Sequence, residues 1–329
     1  MKAVEENHDT PGTFLDLFAG TTRVGQEFRK LGWKVVSNDI SYLGYLLGVC
    51  YIEGVPDIHL RMARFLKEMN DISGYAGWFT ETYSYNSRFF QESNARKIDG
   101  ILSELEIPAS DCMGWMTEQE VAYVLVSLIE AADRVDSTCG LQMAYLKQWA
   151  KRSYKNLELR APEIPVGPVG RSLCMDAAAA AASVRADVVY LDPPYNQHSY
   201  RGNYHIWETI ALRDQPEVYG VAQKRVDCRT NKSAFNSKRT ARDAMEQVVN
   251  AVDCSTIITS FNNEGFISKE QILDMLSKRG QTSVVEIPYA RYIGSQIGIH
   301  SPNGEKVGTP GAATNIEYLF VTKVDRRPQ

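Results

Sequence analysis

The chain has no uninterrupted apolar run approaching the roughly 18 residues of a bilayer-crossing helix, which excludes a helical membrane span. It opens on MKAVEENHDT, polar and acidic where a secretory signal would be basic and then apolar, so a soluble cytoplasmic protein is expected. The six cysteines (Cys50, Cys112, Cys139, Cys174, Cys228 and Cys254) fall singly, with no CxxC pair and no histidine at ligand spacing. That excludes a zinc ribbon and a disulfide scaffold; reduced thiols, mostly in the core, and no resident metal are expected. Positive charge is also short: the net charge of −4 rules out a uniformly basic coat for a polyanion. No internal repeat is visible.

What is present is 329 residues with 44% hydrophobic content, enough for one large α/β domain or two modest ones. Residues 13–40 read as strand, helix, strand. TFLDLFA is apolar, GTTRVGQEFRKLG has helical spacing with Thr21 or Thr22 as cap and Gly32 as stop, and WKVVSND is a second strand. This βαβ unit favours a parallel sheet. From 41 to 165 the spacing becomes helical, clearest in EQEVAYVLVSLIEAADRV and then in GLQMAYLKQWAKRSYKNLEL, and PEIPVGPVG (162–170) reads as a linker closing an insertion. Strand-like runs resume with RSLCM, ADVVYLD, STIITSF, TSVVEIPY and EYLFVTK, making seven in all. The last two flank a Gly-rich loop with no helix and are expected to pair antiparallel. The alanine run 177–182 reads as a short helix.

Two strand ends carry chemistry. In LDLFAGTTRVG a strand runs into a small residue and Gly20 before a helix, which lets backbone N–H groups approach a ligand closely. It fits neither GxGxxG nor GxxxxGK[ST], so a nicotinamide or P-loop site is disfavoured. Asp39 ends the next strand about 20 residues on, the spacing at which a carboxylate accepts both ribose hydroxyls of a nucleoside. The second is LDPPYNQHSY. Asp192 stands at the carboxyl end of a buried strand, and Pro193 and Pro194 lack N–H donors and have fixed φ, so their carbonyls sit in a rigid frame. Asp192 and the Pro193 carbonyl offer two acceptors to one donor, and Tyr195 a flat face beside them. A packed turn would use the same residues; the Gly turn and the ribose-type acid at neighbouring strand ends favour a site.

The chain resembles the DNA adenine-N6 methyltransferases, the group that includes Dam and the FokI-type modification methylases. Phe18-Ala19-Gly20 is similar to the family's FxG motif and Asp192-Pro193-Pro194-Tyr195 to its DPPY motif. RFFQESNARKID, ADRVDSTCGLQMAYLKQWAKRSYKNLEL, GNYHIWETIA and NKSAFNSKRTA also look FokI-like, so the resemblance covers nearly the whole chain. It implies an α/β, Rossmann-like methyltransferase fold: a mixed seven-stranded sheet with a C-terminal antiparallel hairpin and a helical insertion. Residues 1–45 and 166–329 would form the catalytic domain, and 46–165 the insertion that some members use to recognise their target.

The resemblance further implies S-adenosylmethionine as methyl donor, double-stranded DNA as substrate and a cognate restriction endonuclease as partner. Asp16, Phe18, Ala19 and Gly20 would line the cofactor's methionine side, with Thr21, Thr22 and Asn38 beside them, Asp39 at its ribose and Asp176 near its adenine. Asp192, Pro193, Pro194 and Tyr195 would be catalytic, with His198, Tyr200 and Tyr204 bordering the base pocket; His205 reads equally as a structural residue. Thr22 stands where the family has a second glycine. No Tyr-x-Gly-x-Lys segment precedes the first strand, although RYIGSQ (291–296) is similar. For DNA the best candidate is 221–241, where Lys224, Arg225, Arg229, Lys232, Lys238 and Arg239 face the single acid Asp227. Lys151, Arg152 and Lys155 are weaker. An RNA base methyltransferase would use the same cofactor site, a cytosine-N4 enzyme more often begins its motif with Ser, and a catalytically dead DNA-binding module would not need Asp39 and Asp192.

Overall fold

The structure, a computed structural model, describes residues 10–106, 116–290 and 314–325. It opens with β1 (Thr13–Asp16), α1 (Arg23–Lys30) and β2 (Lys34–Asp39), as the βαβ reading expects. Phe28 of α1 lies flat on Phe14 of β1, ring centroids 3.7 Å apart, and Gly32 at φ 88° ends the helix as only glycine does without strain. A helical layer follows: α2 (Tyr42–Gly48), α3 (Ile58–Asp71), α4 (Glu92–Glu106) and α5 (Glu118–Asp133). β3 (Arg171–Cys174), α6 (Ala177–Ser183) and β4 (Val188–Leu191) return the chain to the sheet. Beyond them come α7 (His205–Leu212), a small ribbon of β5 (Val218–Tyr219) and β6 (Lys224–Arg225), α8 (Ala241–Ala251), β7 (Thr256–Asn262), α9 (Lys269–Ser277), β8 (Gly280–Ala290) and β9 (Thr314–Val324).

The seven long strands make one sheet in the order β3-β2-β1-β4-β7-β9-β8. β3, β2, β1, β4 and β7 are mutually parallel, and β9 alone runs against its neighbours. The C-terminal pair is antiparallel as expected, but β9 also inserts between β7 and β8. Because the chain leaves β1 toward β2 and β3 and comes back to β4 on the other side, the connections diverge at the β1–β4 junction. In an open α/β sheet the crevice beyond such a switch point is where ligands bind.

One face of the sheet buries α6, α8 and α9 around Leu15, Val189, Ile257 and Phe320. The other buries α1 through Phe14, Phe28, Trp33 and Val188. The helical layer has a core of its own, centred on α5, whose Ala122–Ile129 stretch is buried on every side, and Ile206, Trp207 and Ile210 of α7 belong to it. Arg29, wholly buried, joins this layer to α1 by donating to the carbonyls of Tyr51 and Gly54, both at 2.7 Å.

GLQMAYLKQWAKRSYKNLEL departs from its expected helix: Lys151–Tyr154 form a 3₁₀ turn and the rest is irregular. Partners elsewhere satisfy its backbone. The Asn94 amide bonds the carbonyl of Lys155 and the N–H of Leu157, Asn70 accepts from the N–H of Leu159, and the N–H of Gln142 reaches the Asn203 carbonyl. Fixed acceptors on α3 and α4 win over a helix propensity that amounts to only tenths of a kcal/mol per residue. RYIGSQ lies outside the described residues.

Candidate active site

Parallel strands bring their carboxyl ends to one edge, so Asp16, Asp39, Asp176 and Asp192 gather there although up to 176 positions separate them in the sequence. Asp16, 1% exposed, accepts from the N–H of Gly25 in the first turn of α1 (3.2 Å). Its carboxyl is pushed up to about 7, by burial first and then by the negative charges of Asp192 and Asp39. Asp39 Oδ2 accepts from the Gly20 N–H at 2.8 Å, and its Oδ1 from both the N–H and the hydroxyl of Ser41 at 2.8 Å. Those bonds hold it rigidly and leave one lone pair, on Oδ2.

Gly20 adopts φ 49°, and nothing lies within 4 Å of where a Cβ would stand, so open space faces this turn. Thr22 also takes a left-handed conformation, φ 60°, at the start of α1. It caps no backbone group; its hydroxyl accepts from the Gln26 amide at 2.9 Å instead. Threonine thus holds a conformation that a glycine would adopt freely, at a cost of about 1–2 kcal/mol. Asn38, 2% exposed, donates to the carbonyls of Leu17 and Met175 and so ties the ends of β1 and β3 together. Its Oδ1 is buried and without a partner, an acceptor waiting for a donor. Asp176 caps α6 by accepting from the N–H groups of Ala178 and Ala179, and its side chain is exposed at the same edge.

Asp192 follows β4 directly and is open to solvent on one side. The surrounding protein and then the Glu317 carboxylate push its acid up to about 6, against a weak bond from the Tyr190 hydroxyl at 3.5 Å. Glu317, on β9, is held by the Ser260 hydroxyl of β7 at 2.5 Å. Sequence reasoning missed Glu317, Ser260 and Tyr190 as neighbours of Asp192: Tyr190 had the same-face spacing of a strand as its signal, whereas only the insertion of β9 beside β7 brings Glu317 there. Pro193 is buried, and Tyr195, half-buried, rests edge-on against Phe261 (6.1 Å, 74°). Tyr200, 60% exposed, stacks on Tyr204 at 6.1 Å and feels the Asp192 charge. His205 is a core residue, fully buried, held at the Gln142 carbonyl (3.1 Å), its imidazole pushed down to about 4 by burial.

Glu208 was also not singled out in the sequence. It is 1% exposed, accepts from the N–H groups of Tyr42 and Leu43 at the start of α2, and pairs with Arg201 at 2.7 Å. One carboxylate therefore joins the turn after Asp39 to the segment after Tyr195.

The basic segment divides. Arg225 is a correction: its guanidinium is 4% exposed and clamped between Asp214 (2.6 Å) and Asp227 (2.9 Å), with a further bond to Thr209, so it has no face for a phosphate. A charge count cannot detect this, because Asp214 lies upstream of the segment. Arg225→Ala is expected to lower stability by about 2 kcal/mol, leaving two carboxylates that solvent reaches in part. Denaturant melts of parent and variant would check it. Lys224 lies against Met143 and Arg229 over the Tyr219 ring. Lys232, Lys238 and Arg239 are exposed, with no acidic partner within 4 Å among the described residues. Arg152 is paired with Asp136; Lys151 and Lys155 are exposed.

Among the described residues no helix is long and apolar enough to cross a membrane, and no group of three or more His, Cys, Asp or Glu could hold a metal. Residues 2–275 match the family model described as D12 class N6 adenine-specific DNA methyltransferase. The chain is 32% identical over 309 residues to the modification methylase StsI of Streptococcus sanguinis, covering 88% of this chain and 46% of that one. Against the type II methyltransferase M.FokI of Planomicrobium okeanokoites it is 32% identical over 310 residues, 89% and 47% of the two chains. Against M.NlaIII of Neisseria lactamica it is 30% identical over 284 residues, 85% and 83%. The chain thus spans about half the length of the first two relatives and most of the third.

Proposed function

Because the chain belongs to the D12 class of N6 adenine-specific DNA methyltransferases, we propose that it methylates the N6 amino group of an adenine at a specific site in double-stranded DNA, with S-adenosylmethionine as donor. The observation that carries this reading is the placement of Asp192-Pro193-Pro194-Tyr195 at the end of β4, beside the Gly20 turn of β1, across the switch point of the sheet. The residues on the cofactor side fit that donor. The open space at Gly20, the unpartnered Asn38 Oδ1 and the carboxylates of Asp16, Asp39 and Asp192 suit a cationic nucleoside with amine and hydroxyl donors.

When bound, S-adenosylmethionine supplies a methyl group activated by its positive sulfur. Asp192 and the Pro193 carbonyl accept hydrogen bonds from the two amino N–H groups of adenine and so favour the more pyramidal nitrogen of the transition state, whose lone pair is freed from the ring; once the nitrogen is methylated its surplus proton leaves to solvent or to Asp192. Tyr195 stacks on the base and holds its nitrogen in line with the methyl group. An adenine inside a duplex cannot reach Asp192, so it is flipped out, at about a few kcal/mol. Lys232, Lys238 and Arg239 grip phosphates beside it. The helical layer, residues 46–165, reads the target sequence, and a restriction endonuclease of the same specificity is the partner. Acting on DNA, the protein works in the cytoplasm.

Incubation with tritiated S-adenosylmethionine and duplex DNA, followed by nucleoside analysis, is expected to give N6-methyl-2′-deoxyadenosine alone. A methylated cytosine, or label in RNA and not in DNA, would overturn the assignment.

A further inference from the structure

We infer that Asn236 is a positioning residue: it fastens the phosphate-facing basic segment to the main chain of the loop that follows Tyr195, so that contact with the DNA backbone and the shape of the base pocket are set together. The inference rests on the reading of function above and concerns two features that reading leaves without a role, the stretch Asn196–Tyr200 and the middle of the basic segment.

The loop after Tyr195 has little to hold it. Asn196 Oδ1 accepts from the His198 N–H at 2.9 Å, and Ser199 caps the single turn Tyr200–Asn203. The carbonyls of Asn196 and His198 both accept from one group, the Asn236 amide, at 3.0 and 3.1 Å. An amide has two N–H donors, and here each is spent on one of those carbonyls. Because the contacts go to main chain, they fix the path of the loop irrespective of its side chains.

The preceding residue holds the other half of the site. Phe235, 4% exposed, meets the Phe18 ring edge-on at 5.2 Å and 82°. Phe235 and Asn236 are successive residues of the 3₁₀ turn Ala234–Asn236. That turn is braced by the Ser233 hydroxyl, which accepts from the Phe235 N–H, and by the Thr240 hydroxyl, which donates to the Ala234 carbonyl at 2.6 Å. One braced turn therefore touches the cofactor-side loop at Phe18 and the base-side loop at Asn196 and His198. Lys232 precedes it and Lys238 and Arg239 follow it, all exposed. Phosphates bound by these three pin the turn from both ends, and the amide passes that restraint to the loop beside Tyr195.

Asn236→Asp keeps the shape and removes both donors; Asn236→Ala removes the group. With both, single-turnover methyl transfer at saturating DNA and cofactor is expected to fall about 30–100-fold, the scale of a small misplacement of reacting groups. DNA affinity and its salt slope should stay within about twofold, since no phosphate contact is lost. Hydrogen exchange supplies a readout that needs no turnover: duplex DNA should slow exchange across residues 196–200 in the parent chain and not in either variant, with β1 and β4 equally protected in all three. Phe235→Ala should instead weaken cofactor binding. Parental transfer rates in both variants, a loss of DNA affinity in proportion to the loss of rate, or DNA protection of 196–200 that survives both substitutions would overturn the inference. If the parent chain methylates no DNA, the functional reading fails by itself, and the exchange result still judges Asn236.

Discussion

Asp192→Ala should reduce single-turnover methyl transfer by about 10²–10³-fold, the scale seen when one preorganised hydrogen-bonding group is taken from a transition state. Cofactor binding should weaken far less than the rate, because Asp16, Gly20, Asn38 and Asp39, on β1, β2 and the turn after β1, keep their hydrogen bonds without Asp192, and only its share of the negative charge facing the cofactor is lost. Calorimetric titration with S-adenosylmethionine and quenched transfer assays on the same preparation separate the two effects. Retained turnover would remove Asp192 from the mechanism. Its protonation adds a second signature. The carboxylate is the form that accepts from the amino group, and its acid is pushed up to about 6, so the parental rate should fall as pH drops through 6. Neutralising a neighbour, as in Glu317→Gln, should move that limb to lower pH, since the Glu317 charge is one cause of the raised value. Asp16, Tyr195 and Tyr200 also interact with Asp192 and would be unchanged in that variant.

Asp16→Asn is expected to make the cofactor-free protein more stable and less able to bind its cofactor. The Asp16 carboxyl is fully buried and its acid is pushed up from 3.8 to about 7. A buried acid with a raised value contributes its full stability below 3.8 and loses it as pH climbs through 7, because the folded chain must then carry an anion out of water. At pH 8 that cost is on the order of a few kcal/mol. Asparagine keeps an acceptor for the Gly25 N–H and removes the charge. The gain in melting temperature should therefore be large at pH 8 and small at pH 4, while affinity for the cationic cofactor drops by about tenfold or more. Thermal melts at the two pH values and a calorimetric titration would show it. A gap between variant and parent that does not change with pH would mean that Asp16 is not the buried anion described here. The parent keeps this acid at a cost in stability, as functional sites commonly do.

Much of this could be read before the fold was known. All seven strands of the sheet were legible: β1, β2 and β4, parallel and buried, are short apolar runs whose ends carry small or acidic residues, TFLD, KVVSND and VVYL before Asp192, and the C-terminal pair flanks a loop with no helical spacing. The alanine run became α6, with Asp176 as its cap. What escaped depended on partners far away in the chain. GLQMAYLKQWAKRSYKNLEL has helical spacing but is held by Asn70, Asn94 and Asn203, none of which its own sequence announces. Arg225 reads as one of six cations until Asp214 is brought against it. Glu208 and Asn236 lack even a local oddity: each is an ordinary polar residue whose role exists only where two loops meet.

The position of β9 has a consequence for how the molecule is made. β8 is synthesised before β9, yet among the described residues its only ladder is with β9, which itself docks on β7. Until β9 has left the ribosome, the edge of β7, seven buried residues long, stays uncovered, and β8 has no place in the sheet. The nascent chain passes through an interval in which two sticky edges are exposed together, when aggregation competes with closure. A truncation that removes β9 would cost the protein two strands, not one, along with Glu317 beside Asp192.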